Sequence, residues 1–212
     1  TPTNAATPSD SGVGNEVVGN YATLNPLQNA CGDTFSDGNL KVVTNSGAYG
    51  THTSTMATPL SGKWYAEIAI ESASNDTCVA LVASDSALTS TSWPGTLNGV
   101  VYYGLNGNKY IDTVVSSYGA NFGQVASTVI GIAYDADNGT VIFYKNGVSQ
   151  GTISSVPIRN YFFGASDYSS STSVTYNWNF GQRAFAYTAP SGYKSLNTAN
   201  LPTPTIADGS QY

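Results

Sequence analysis

Charge is the scarcest property of this sequence. Asp, Glu, Lys and Arg together make up 9% of the residues, against about a quarter in an ordinary globular chain. Only seven are Lys or Arg, and the net charge is −6. That excludes a nucleic-acid partner, because counterion release needs a basic stripe and seven scattered cations do not make one. Long apolar runs are also missing. None approaches the roughly 20 residues of a membrane-spanning helix, so no membrane insertion is expected. Cysteine is limited to Cys31 and Cys78. Neither sits in a Cys-x-x-Cys pair, which excludes a thiolate zinc site. The two can form one disulfide or stay as buried thiols, and free thiols are the expectation adopted here. There is no secretory leader, and the first residue is Thr rather than Met. The chain therefore reads as a processed protein or a piece of a longer one.

What is present is a strand-forming chain with a neutral polar surface. Hydrophobic residues account for 41% of 212 positions, enough for one generous domain with its own core. Ser, Thr, Asn, Gly and Tyr must cover the exterior, a profile suited to a protein outside a cell or in a particle. Residues 1–20 show no period and read as an extended lead-in. Residues 21–190 read as the domain. Residues 191–212, with Pro202 and Pro204, read as an exit linker. Within the domain, Lys63–Ile70, Thr77–Ala83, Val100–Tyr103, Val129–Tyr134, Thr140–Lys145 and Ser173–Phe180 have the residue types of strands. Asn138-Gly139 and Asn146-Gly147 mark tight turns, since both residue types tolerate positive φ. No helix start is followed by a 3.6-residue period. The fold class is all-β, an antiparallel two-sheet sandwich with extended N- and C-terminal segments. Trp64, Phe143, Trp178 and Phe180 are expected in its core.

Three stretches resemble the SPRY (B30.2-like) family. GKWYAEIAI, ending at Ile70, is similar to its early "GxxYxEV" strand. VIGIAYDADNGTVIFYKNG, from Val129 to Gly147, is similar to its signature hairpin. NFGQRAF, from Asn179 to Phe185, resembles its late "NFGQ-PF" strand. Ser127-Thr128 replaces the usual Gly-Asp before the hairpin, and Ala184 replaces the Pro of the last motif. The flanks NYATLNPL and SGYKSLNTANLPTPTIADGSQY resemble SPRY-containing structural and tail-fibre proteins of tailed bacteriophages. The resemblance implies a bent, concanavalin-like sandwich without catalysis that binds through loops at one edge. It further implies a virion or extracellular location, with viral structural proteins, sister subunits or a host-surface glycan or protein as partners. A homo-oligomer built from a longer chain is the implied assembly. The alternative is a carbohydrate-binding or degenerate laminarinase-like glycosidase sandwich.

Each chemical constellation has a structural reading beside it. Glu67 and Glu71 resemble part of the laminarinase strand "E-I-D-I-x-E", with Ala69 in place of the middle carboxylate. On one strand they lie about 13 Å apart, whereas glycosidase pairs stand about 5–9.5 Å apart. No catalytic residue is therefore assigned. Asp135, Asp137 and Asn138 have the residue types of a calcium loop, but Gly139 and Asn146 fall at the wrong positions for one. They read instead as side chains capping their own turn. No metal or cofactor is expected. His52 stands among Thr and Ser, reads as a solvated loop residue, and has no G-x-S-x-G elbow to serve.

The aromatic residues carry the binding expectation. Ser84–Gly123 mixes Trp93, Tyr102, Tyr103, Tyr110 and Tyr118 with Ser, Asn and Gly, the composition of a paratope. The loops expected to bind are Ser84–Leu97, Gly47–Ser54 with Tyr49 and His52, and Ser166–Thr172 with Tyr168. Trp93, in Ser92-Trp93-Pro94-Gly95, is either an exposed anchor at a loop tip or a plug folded back on the sandwich.

Overall fold

The computed structural model describes residues 19–28, 32–45, 49–72, 76–87, 92–123, 125–168 and 173–202. Two sheets face each other across one core. The first has the order β1 (Thr34–Ser36), β2 (Lys41–Val43), β13 (Thr175–Asn179), β4 (Lys63–Ile70), β9 (Thr128–Asp135), β10 (Thr140–Lys145) and β11 (Val148–Ile153). A two-residue strand, β14 (Lys194–Ser195), runs parallel to the start of β4. The second sheet has the order β3 (Gly50–Ala57), β12 (Tyr161–Asp167), β5 (Cys78–Ala83), β6 (Gly99–Tyr103), β7 (Asn108–Ile111) and β8 (Val114–Ser117). Every other pairing is antiparallel. The helical content among the described residues is one 3-10 turn, Pro94–Thr96.

Period-2 alternation assigns the faces. In β4, Trp64, Ala66, Ile68 and Ile70 enter the core, and Tyr65, Glu67 and Ala69 turn outward. Trp64, Phe143, Trp178 and Phe180 are all buried, as expected. Trp178 and Phe180 stack at 5.2 Å. The β9–β10 hairpin turns at Asn138-Gly139 with φ +59° at the glycine, and β10 turns into β11 at Asn146-Gly147 with φ +50° and +77°. Asp135 Oδ1 accepts the backbone N–H groups of Asp137 and Asn138, both at 3.1 Å, and Asp135 Oδ2 accepts the Asn138 amide at 2.9 Å. Lys63 pairs with the same carboxylate at 3.0 Å. The Asp and Asn side chains thus close their own turn.

Both faces of β5 are buried, the reason its sequence is an unbroken apolar run. Val79, Leu81 and Ala83 face the core. Cys78, Ala80 and Val82 face outward, beneath a second cluster made with Val101, Trp93 and Leu97. The 92–97 segment that supplies this cover belongs to the loop expected to project from the edge. Cys78 is a buried free thiol; Cys31 lies outside the described residues.

The two ends of the described chain meet. Ala22 N–H donates to Leu196 O at 3.0 Å and Thr198 N–H to Asn20 O at 2.9 Å. Ala22, Leu24 and Leu196 are core residues, so the stretches on either side of residues 21 and 191 help to build the sandwich. Residues 23–25 run antiparallel to β3, with Thr55 N–H donating to Thr23 O at 2.7 Å and Asn25 N–H to Thr53 O at 2.9 Å. Residues 19–22 therefore lie towards the Ala57 end of β3. The pole where β3 and β5 begin and β6 and β12 end is on the far side of the domain.

Candidate functional site

That far pole carries an aromatic patch on the outer face of the second sheet. Tyr49 precedes β3, Tyr168 follows β12, Tyr103 closes β6, Tyr110 lies in β7, and Trp93 folds over from the β5–β6 connection. Tyr49 and Tyr168 stack at 4.4 Å, and Tyr49 meets Trp93 at 6.1 Å. Trp93 meets Tyr110 edge-on at 4.9 Å and Tyr103 at 5.8 Å. Five of the eight residues singled out in the sequence are thus gathered in one place from five separate segments.

Trp93 is the hub rather than the tip. The Thr51 hydroxyl of β3 donates to Ser92 O, which fastens the connection across the sheet. Thr96 N–H returns to Trp93 O at 2.9 Å and closes the 3-10 turn. Gly95 lies flat against the indole, and a Cβ there would stand 2.1 Å from Cζ3. The indole N–H is buried and faces the Cys78 sulfur without closing a hydrogen bond of normal geometry. Of the two readings of Trp93, the folded-back one describes its position.

Asp76, absent from the sequence expectations, belongs to the patch. Its carboxylate accepts the Tyr103 hydroxyl. The Tyr103 phenol is held strongly protonated, first by burial and then by its bond to Asp76. Tyr49 is shifted in the same direction, by burial first and by the Asp76 charge second. The sequence signal for Asp76 was only its place two residues before β5, on the same side as Tyr103 across the pair Cys78–Tyr103.

The other three residues lie elsewhere. Tyr102 is fully buried between the sheets against Phe122, at 4.6 Å, and Phe143, at 5.3 Å. Tyr118 donates to Gly151 O at 2.7 Å and accepts Phe143 N–H at 3.0 Å, which closes the sandwich along β11. His52 corrects the solvated-loop reading. It lies in β3 and is fully buried, its ring 5.3 Å from Tyr176. The Trp178 indole donates to its Nε2 at 3.4 Å, and its Nδ1 is 4.0 Å from Asp33 Oδ2. Burial lowers its pKa to about 3, so the ring is neutral. Gly50–Ser54 is likewise strand rather than loop, and residues 47–48, 88–91 and 169–172 of the expected binding loops lie outside the described residues.

The carboxylates of β4 have separate tasks. Glu67 is buried and accepts Ala186 N–H at 2.7 Å, Tyr187 N–H at 3.0 Å and the Tyr65 hydroxyl at 3.0 Å. Burial still raises its pKa, outweighing those bonds and the nearby Arg183. Glu71 is exposed and pairs with Lys41 at 3.3 Å. A cavity of about 140 Å³ opens beside Glu67, lined by Ala69, Val129, Asn177 and Arg183 among others. Glu67 is the one carboxylate on its wall, so the acid–base pair of a glycosidase is not assembled there.

Comparison with known proteins identifies the fold. The SPRY domain of human HERC1 superposes with a TM-score of 0.59 at 19% identity, covering 73% of this chain and 96% of that chain. A human SPRY domain gives 0.57 at 18%, covering 72% and 96%. Stonustoxin gives 0.57 at 14%, covering 84% of this chain and 30% of that chain. No curated protein matches the chain. The SPRY domain profile matches residues 63–182, from the start of β4 past the end of β13. With the three sequence motifs inside or overlapping that span and the two-sheet sandwich around them, the chain belongs to the SPRY domain family.

Proposed function

We propose that this domain is a binding module that grips a protein partner through the aromatic patch at the pole opposite residues 19–22 and 196–198, on the exterior of a virus particle. SPRY domains generally serve as protein–protein interaction modules, and no catalytic family is indicated for the chain. The observation that carries the reading is the convergence of Tyr49, Trp93, Tyr103, Tyr110 and Tyr168 on one outer sheet face. Tyrosine gives rigid contact area at low entropic cost, and a clustered aromatic surface is the usual centre of a binding hot spot. The position supports it as well. Residues 19–22 and 196–198 are tied together towards the Ala57 end of β3. The eight residues of β3 span about 25 Å, so the patch is held away from the point where the chain enters and leaves. The particle setting rests on the flanking segments' resemblance and on a sequence in which only 9% of residues are charged. There the partner is another structural protein, a sister copy or a host-surface protein.

The test is a photo-cross-linking amino acid at position 168, with one at Asn138 in the β9–β10 turn as control, in the full protein in its native assembly. Position 168 should cross-link to another polypeptide and position 138 should not. Cross-links from 138 alone would place the interface on the other sheet and refute the assignment.

A further inference from the structure

Resting on that reading, we propose that the aromatic patch recognises a cationic side chain, Arg or Lys, presented by the protein partner. Three observations carry this, beginning with the acids. Asp76 sits among the rings with its carboxylate on the Tyr103 hydroxyl. Asp167, directly before Tyr168, is buried on the inward side of β12 and accepts the Thr44 and Thr77 hydroxyls at 3.5 and 3.4 Å, so Asp76 is the carboxylate that belongs to the patch. Asp76 acts on the neighbouring rings: after burial, its charge is the largest influence raising the Tyr49 phenol.

The second observation is where the cations are. The chain has seven Lys and Arg, and their places are all on other surfaces. Lys41, Lys63, Lys145 and Lys194 belong to strands of the first sheet. Arg183 donates to Trp178 O at 3.2 Å beside that sheet. Arg159 pairs with Asp112 at 2.7 Å, at the turn between β7 and β8. Lys109 turns away from its neighbour Tyr110 and lies over the Tyr118 ring at 5.6 Å. The field at the patch is therefore negative.

The third observation is the state of the rings. Burial raises the Tyr49, Tyr103 and Tyr110 phenols, which keeps those rings neutral, and Tyr168, at 36% relative exposure, is open to solvent. A neutral ring face attracts a cation through its quadrupole, and a nearby carboxylate adds a charge-assisted hydrogen bond. A partner bearing acidic or phosphorylated groups would be repelled by the same arrangement. A neutral partner would make no use of Asp76.

The experiment uses N-acetyl-arginine methylamide as probe. Its neutral isostere N-acetyl-citrulline methylamide and methyl glucoside serve as comparison arms. Each is titrated into the full chain carrying ¹³C-labelled Tyr and followed by ring resonances. The arginine amide should shift Tyr49, Tyr103, Tyr110 and Tyr168, saturate in the millimolar range, and weaken as salt rises. Asp76→Asn should weaken it about tenfold, and Asp76→Glu should restore most of the affinity. An unchanged resonance pattern for Tyr102 and Tyr118 certifies that each variant is folded. Equal binding of the citrulline amide, or shifts confined to other tyrosines, would overturn the proposal. Shifts of the patch rings by methyl glucoside but not by arginine would make it a carbohydrate face instead. A positive cross-link at position 168 with a negative arginine titration would sink the charge class and leave the interface standing.

Discussion

Replacing Trp93 by Ala separates scaffold from contact surface. The indole lies over Cys78, Ala80, Val82 and Val101 and is flanked by Tyr49, Tyr103 and Tyr110. Truncating a fully buried Trp costs about 3–5 kcal/mol. Trp93 is half-buried, so about 2–3 kcal/mol is the appropriate share. The connection it anchors keeps one further tie near the hub, the Thr51 hydroxyl on Ser92 O, which limits the extra loss. For a domain of this size each kcal/mol moves the melting temperature by about 2–4 °C, so Trp93→Ala should melt about 5–10 °C below the parent in differential scanning calorimetry at pH 7. Tyr168→Ala, at the exposed rim, should stay within about 3 °C. A Trp93→Ala protein melting within 2 °C of the parent would show that the indole does not hold the connection to the sheet, and the description of the patch as a fixed surface would fail with it.

Three further outcomes follow from buried polar groups. Glu67→Ala strands two backbone N–H groups and the Tyr65 hydroxyl. It should cost about 2–4 kcal/mol and expose the segment around residues 185–190 to trypsin or chymotrypsin before the rest of the domain. His52 has a folded pKa lowered to about 3, below its unfolded value near 6.5. Its contribution is therefore complete above pH 6.5 and falls by up to about 1.4 kcal/mol per unit as pH drops from there towards 3. The His52 ring resonances should not titrate between pH 8 and 5 in the native protein, and a midpoint near 6.5 would contradict its burial. Burial likewise raises the Cys78 thiol well above its ordinary pKa. In a Cys31→Ser background, Cys78 should react with a thiol reagent at pH 8 only after denaturant is added.

Local chemistry made most of the scaffold readable. Asn138-Gly139 is a turn because of its own two residues and the Asp135 beside it, all within four positions. Period 2 along β6 requires Tyr102 and Tyr103 to face opposite ways, but Val-Val-Tyr-Tyr has no polar alternation to say which, and the structure turns Tyr102 inward and Tyr103 outward. What stayed hidden depends on partners far along the chain. The GTHTST of β3 reads as a polar loop. Its hydroxyls are satisfied by Ser92 O, by the Gln28 side chain and by Met56 O, and Phe163 N–H donates to Ser54 at 3.1 Å. That satisfaction lets a polar strand be buried, and His52 enters with it, its Nε2 accepting the Trp178 indole. Asp76 was silent for the same reason, since its partner Tyr103 lies 27 residues away. Leu196, in a stretch composed like a linker, enters the core because residues 19–22 pair with it.

The double variant Tyr110→Ala/Tyr168→Ala, measured for stability and for partner capture in the same preparation, decides whether the patch is the contact surface. The partner is the polypeptide cross-linked from position 168. The variant's melting temperature should stay within about 5 °C of the parent and capture should fall at least tenfold, in line with the loss of hot-spot aromatics. Undiminished capture by a folded double variant would contradict that assignment.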